Sequence, residues 1–322
     1  MKCDAIFVDM SVSEIHALIQ LLDDPDEGVY LHVREELMSK GTSILPAVLE
    51  HRAGKSQCEV HENRLDELVE GLHGAFVKKE IRNWYDSGAQ NILEGALWVH
   101  KAADPLLDVE AIKARYEKLK RDVWLELNEE LTALEQVRIL NHVLFSEEGF
   151  VNSRSGHPNP KDALIGDVMD LKKGNPLGLG TLYLAIARDL KLPIHGVNLP
   201  NHFILCYCDK HHVHDGSENS VDSELPGGIL FYINPFSEGT VIHPNDVSEF
   251  LSHLDLPVDE RNCGPCAPID IIRRLIGNVA YAFERNGEIS KAEEMRKLLL
   301  YIESGATEDV EPADAGEDEA EA

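Results

Sequence analysis

Apolar positions recur three and four residues apart through most of the first half of the chain, and that period predicts helices. Ile15, Leu18, Ile19 and Leu22 mark a first helix with Ser13 as its cap, and Asp23-Asp24-Pro25-Asp26 ends it. Val29, Val33 and Leu37 mark a second helix that stops near Gly41, and Ile44 to Leu49 begins a third. Between 61 and 145 the helical period continues. Val69, Leu72 and Phe76 form one face, Leu93, Leu97 and Val99 another, and Val109 to Leu134 reads as a single long amphipathic stretch. Trp84, Trp98 and Trp124 fall in this half and are expected in its helical core.

The second half changes period. Turn residues dominate 146–173, with a short helix at 161–172. Leu179, Leu182, Tyr183, Ile186 and Leu190 then predict a helix over 175–189 that is apolar on most sides, hence buried, and Pro193 ends it. Ile194–Val197, Phe203–Tyr207, Leu230–Ile233 and Thr240–Ile242 read as strands, with a polar insertion at 209–228. A short helix at 245–254 and two helices at 268–304, broken at Asn286-Gly287, complete the pattern. The order of leucine-rich helix, Asp-Asp-Pro-Asp, helix, Gly and Leu-Pro in 11–52 resembles one HEAT-type unit, and the last helix pair resembles one TPR hairpin. Neither repeats along the chain.

The 322 residues are 43% hydrophobic, enough for a substantial core. Asp and Glu number 58 against 30 Lys and Arg, a formal net charge of −28. That balance argues against nucleic acid or an anionic membrane as partner, because both need a basic patch. Residues 306–322 carry eight carboxylates, no Lys or Arg and almost no large apolar side chain, so a disordered acidic tail is expected from 305 onward. No apolar run reaches the ~18 residues that span a bilayer. The opening residues do not form a signal-peptide pattern, and six cysteines without one favour reduced thiols and a cytoplasmic setting.

The stretch from Gly174 to Pro235 carries the most specific arrangement: Gly174-Asn175-Pro176-Leu177, a buried helix ending in Arg188, Leu192-Pro193, then Leu199-Pro200-Asn201-His202-Phe203 and Asn234-Pro235-Phe236. Together with Asn141-His142-Val143-Leu144-Phe145, Glu147 and Gly149-Phe150 upstream, these residues resemble the SirB-type branch of the transglutaminase-like superfamily, over about 135–303. The resemblance implies an α+β fold. It has a helical N-terminal region at 1–134, a papain-like core with a small antiparallel sheet at 135–255, and a C-terminal helix pair at 256–304. It also implies roles. His202 stands where the family's base stands, and Asn234 where its orienting residue stands. Pro176 occupies the position of the nucleophilic cysteine. Proline cannot attack an acyl group, so these are vestigial catalytic positions and a protein- or peptide-binding scaffold is expected, of open oligomeric state. The alternative reading is a cysteine-type hydrolase or acyltransferase pairing His202 with a displaced thiol.

A zinc or redox thiol protein is the other alternative. Cys206-Tyr207-Cys208 with His212 nearby offers thiolate and imidazole ligands, or else a buried strand with two small thiols and a polar hairpin tip. Cys263-Gly264-Pro265-Cys266 is the thioredoxin-type tetrapeptide, placed before a helix whose dipole would favour a thiolate. The polar residues Asp259 to Asn262 precede it where a thioredoxin site needs a strand, so it reads as a loop and helix start. Four thiolates, from Cys206, Cys208, Cys263 and Cys266, would hold zinc if the fold gathered them. No phosphate-binding loop, dinucleotide fingerprint or Gly-x-Ser-x-Gly is present.

Overall fold

The computed structural model describes residues 12–53, 59–154, 156–200, 202–209 and 228–305. His212 and the acidic tail lie outside the described residues. The chain forms two compact units, Met1–Glu80 and Ile81–Ala322.

The first unit is helical: α1 (Val12–Leu21), α2 (Glu27–Ser39), α3 (Leu45–Ala53) and most of α4 (Glu59–Asp86). Their apolar stripes meet in one core of Ile19, Leu22, Val33, Leu37, Val48, Leu65, Leu68 and Leu72. The acidic break between α1 and α2 is tied to α4 by Arg64. Its guanidinium donates to the Leu22 and Asp24 carbonyls at 2.9 Å and stacks 4.0 Å above the Tyr30 ring. Asp26 caps α2 by accepting from Gly28 N.

The second unit is α+β. Helices α5 (Ile92–Ala103), α6 (Val109–Glu126), α7 (Ala133–Asn141) and α8 (Ile165–Leu171) precede the buried helix α9 (Pro176–Asp189). A short parallel pair joins β1 (Val151–Asn152) to β2 (Lys173–Gly174). Four antiparallel strands follow in sequence order: β3 (Ile194–Val197), β4 (Ile204–Cys208), β5 (Ile229–Asn234) and β6 (Thr240–Ile242). Helices α10 (Pro244–His253), α11 (Glu260–Cys263), α12 (Pro268–Arg285) and α13 (Ile289–Glu303) complete the unit.

Every residue of α9 from Leu177 to Ala187 is buried, as its nearly uniform apolarity requires. Its small residues set the packing distance. A Cβ on Gly180 would lie 2.6 Å from the Phe203 ring, so the aromatic that precedes β4 seats directly on the helix backbone.

Two expectations from the hydrophobic period are corrected. Val109 to Leu134 is two helices, because Leu127 caps α6 and Thr132 opens α7 with a capping box to Glu135. Trp124 is not core: it is 59% exposed at the end of α6, next to Leu125 at 68%. Trp84, in contrast, is fully buried, its indole N–H donating to the Asn91 carbonyl at 2.7 Å.

Candidate binding cleft at the start of α9

Asn175 and Pro176 open α9, and each suits its place. Proline at the first helical position lacks an N–H that would have no partner there. Asn175 is the N-cap: its Oδ1 accepts from Leu177 N at 3.0 Å and Gly178 N at 2.8 Å. These are the backbone donors that a helix start otherwise offers to an anion. The Asn175 amide nitrogen donates to Asn278 Oδ1 on α12 at 2.9 Å, and its backbone N–H donates to the Asp162 carbonyl. Gly178 completes the close approach, since a Cβ there would overlap that same carbonyl.

A cleft of about 240 Å³ opens beside this helix start. Its polar lining comes from Ser153, His157, Asn159, Asp162, Asn175, Asn278 and Tyr281. The Asp162 carboxylate is buried, 4% exposed, and accepts from Ser153 Oγ at 2.5 Å. Ser153 is held in turn by its backbone N–H, which donates to the Gly174 carbonyl across the β1–β2 pair. The arrangement presents carboxamides, a carboxylate, an imidazole and a phenol around a small concave space, which suits hydrogen bonding to a polar ligand.

His202 and Asn234 do not line this cleft. His202 is exposed, its ring edge-on to Phe250 of α10 at 5.3 Å, and its backbone N–H donates to the Leu199 carbonyl. Both ends of the Asn234 carboxamide are used locally: Oδ1 accepts from Phe236 N at 3.1 Å, and Nδ2 pairs with Ser237 Oγ at 3.2 Å. The side chain therefore caps the turn after β5. Pro176 sits at the first turn of α9, as its spacing from Pro193 and Arg188 predicts.

Ser153, Asp162, Asn278 and Tyr281 were not singled out by sequence reasoning. Asp162 falls in the short helix expected at 161–172, and Asn278 in a helix marked by its apolar face. One signal did exist: a polar Asn between Ile276 and Val279 on a strongly amphipathic helix.

Cys206 and Cys208 lie on one face of β4 with their sulfurs 3.9 Å apart, both in the apolar core with Cys263. Among the described residues the four cysteines do not gather within coordination reach of one another. Burial pushes the Cys206 thiol well up; when the pair gives up a proton, Cys208 is the one that loses it, because Cys206 can donate to its thiolate. The setting of Cys263 and Cys266 does not favour a thiolate. Cys263 ends α11 and donates to the Asp259 carbonyl, and burial raises its pKa. Burial, with Asp270 adding, pushes Cys266 up to about 12. Iodoacetamide at pH 7 should therefore modify native Cys206, Cys263 and Cys266 more slowly than an unperturbed thiol, by roughly a hundredfold or more at Cys266. Peptide mass spectrometry reads this directly, and a fast reaction at any of the three would contradict it.

A family model described as the transglutaminase-like superfamily matches residues 110–277. A UPF0162 protein of Vibrio cholerae is 28% identical over 120 residues, covering 37% of this chain and 44% of that protein. A UPF0162 protein of Pseudomonas aeruginosa is 25% identical over 200 residues, 61% of this chain and 66% of that protein. F-box only protein 21 of Mus musculus is 23% identical over 239 residues, 66% of this chain and 36% of that protein. The match thus spans less than half of the Vibrio and mouse proteins. No solved structure shows significant similarity. Among the described residues, no helix is long and apolar enough to cross a membrane.

Proposed function

The chain belongs to the transglutaminase-like superfamily, and from that premise we propose that it is a non-catalytic member, a scaffold that binds a protein or peptide segment in the cleft beside α9. One observation carries the reading. At the helix start where this chemistry needs a thiolate, Pro176 supplies no nucleophile, and the Asn175 carboxamide already occupies the two backbone donors that would stabilise negative charge. What remains is a concave polar site with a buried carboxylate, suited to recognising the donors of an extended peptide.

The finer placement rests on particular residues. Asn141 to Phe150, Gly174 to Leu177 and Leu199 to Phe203 support membership of the SirB-type branch, and the α12–α13 hairpin supports a TPR-like pair flanking the core. The division into 1–134, 135–255, 256–304 and 305–322 is proposed on the same footing. Buried neutral thiols at Cys206 and Cys263 support a reducing, cytoplasmic setting.

The test has two arms. Full-length protein is assayed against amide and thioester substrates, where no His202-dependent turnover is expected; turnover abolished by His202→Ala would overturn the reading. A displayed peptide library is then panned on the wild type and on Asn278→Ala and Tyr281→Ala. Peptides selected by the wild type should lose at least about tenfold in affinity on both variants. Equal retention would place binding elsewhere.

A further inference from the structure

We propose that Glu126, His142 and Glu147 form a surface site for a divalent transition-metal ion of the zinc type, separate from the cleft and from the four cysteines among the described residues. One donor atom from each of the three side chains lies within 4.8 Å of the other two. His142 Nε2 is 3.5 Å from Glu147 Oε1. A tetrahedral zinc with bonds of about 2.0–2.1 Å sets neighbouring ligand atoms about 3.3 Å apart, so this pair already has the bite of a chelate.

The backbone explains how two residues five apart meet. In an α-helix, positions i and i+5 differ by about 140° around the axis and face different directions. From His142 to Glu147 the chain is π-helical, and Glu148 N donates to the Val143 carbonyl five residues back. That wider turn brings positions i and i+5 onto one side, and such turns recur at functional sites. Glu126, the last residue of α6, supplies the third donor from a separate helix. The ion would therefore tie the end of α6 to the π turn.

The donor set decides the class of ion. One imidazole distinguishes the group from an acidic patch and favours zinc, cobalt or manganese over calcium, which takes an all-oxygen shell. Three protein ligands leave a further position open to water or to a side chain of another molecule. All three residues are exposed, so the ion would exchange with solvent. The net charge of −28 concentrates cations around the whole molecule, while the imidazole gives this site its selectivity.

The test uses the full-length protein and two probes. Zn²⁺ titrated by calorimetry should show one equivalent bound with micromolar affinity. His142→Ala and Glu147→Gln should each weaken it by about tenfold or more. Cys206→Ser with Cys208→Ser should leave it unchanged. Co²⁺ should give visible bands without a sulfur-to-cobalt band in the near ultraviolet. His142 and Glu147 are exposed, so their substitution spares the core; Cys206 and Cys208 are buried, and tryptophan fluorescence checks that the double serine variant stays folded. The proposal is overturned by no Zn²⁺ binding at millimolar concentration, by unchanged affinity in His142→Ala, or by a sulfur band that disappears with the two cysteines. None of these outcomes bears on the cleft, so this proposal and the scaffold reading fail separately.

Discussion

Gly239→Ala should destabilise the second unit by roughly 3–5 kcal/mol, or prevent it from folding. Gly239 has φ +72°, the left-handed region where a Cβ is disfavoured by roughly 1–3 kcal/mol. The steric problem is larger. A Cβ there would overlap the Asn141 carboxamide, which cannot step aside cheaply. Asn141 Nδ2 donates to the Gly239 carbonyl at 2.9 Å, and its Oδ1 accepts from the buried Tyr183 hydroxyl at 3.2 Å. Moving it would strand a buried phenol in the middle of α9, a further cost of about 1–3 kcal/mol. Three distant stretches, the end of α7, the middle of α9 and the turn before β6, are locked at this point. Urea unfolding followed by tryptophan fluorescence suits the test, because all three tryptophans lie beyond residue 80 and report the second unit alone. A loss below about 1 kcal/mol would mean that the carboxamide rearranges freely.

Acid should weaken the same unit through His100. Burial depresses its pKa from an ordinary 6.5 to about 4, even with the Asp167 carboxylate 3.5 Å from Nε2. The other nitrogen adds a geometric reason. Nδ1 accepts the Gly166 backbone N–H at 3.1 Å, so a proton there would set two donors face to face. The ring lies close against Gly166, where an added Cβ would meet it at 2.8 Å. The folded pKa lies below the unfolded one, so the unfolded state binds the proton first as pH falls. The contribution is complete above pH 6.5 and is lost on descending to about 4. It amounts to roughly 3 kcal/mol at one pKa unit per 1.36 kcal/mol. His195, also depressed chiefly by burial, adds in the same direction. Asp167, raised by burial, works in the opposite sense, losing stability as pH rises. Unfolding free energies at pH 7 and pH 4.5 should differ less in His100→Gln, which keeps an acceptor for Gly166 but cannot titrate. An unaltered pH slope in that variant would exclude His100 as the cause.

Much of the architecture was legible because the pattern of burial is written locally. The short apolar runs at 194–197, 203–207, 230–233 and 240–242 gave the strands that pair as β3 to β6, and the near-uniform apolarity of 177–187 gave a fully buried helix. Where the period misled, a short-range device had overridden it. Thr132 and Glu135 start a new helix inside what looked like one amphipathic run, and Trp124 ends up in solvent because α6 stops two residues later. The thiols show a different limit. That Cys206 and Cys208 share a face follows from strand geometry, but whether a sulfur is acidic depends on what surrounds it.

The chain by itself determined the element order, the buried helix and the proline at its first position, because each depends on residues near one another in sequence. Only the tertiary structure decided the candidate sites. The cleft joins Ser153 and Asp162 to Asn175 and to Asn278 and Tyr281 more than a hundred residues on, and no periodicity encodes such a meeting. The Glu126, His142 and Glu147 group needed a π turn in place of an α turn, a choice of hydrogen-bond partner one residue further along. Val143 and Leu144, within that turn, are buried in the core, so the turn is part of the packed structure and not of the local pattern.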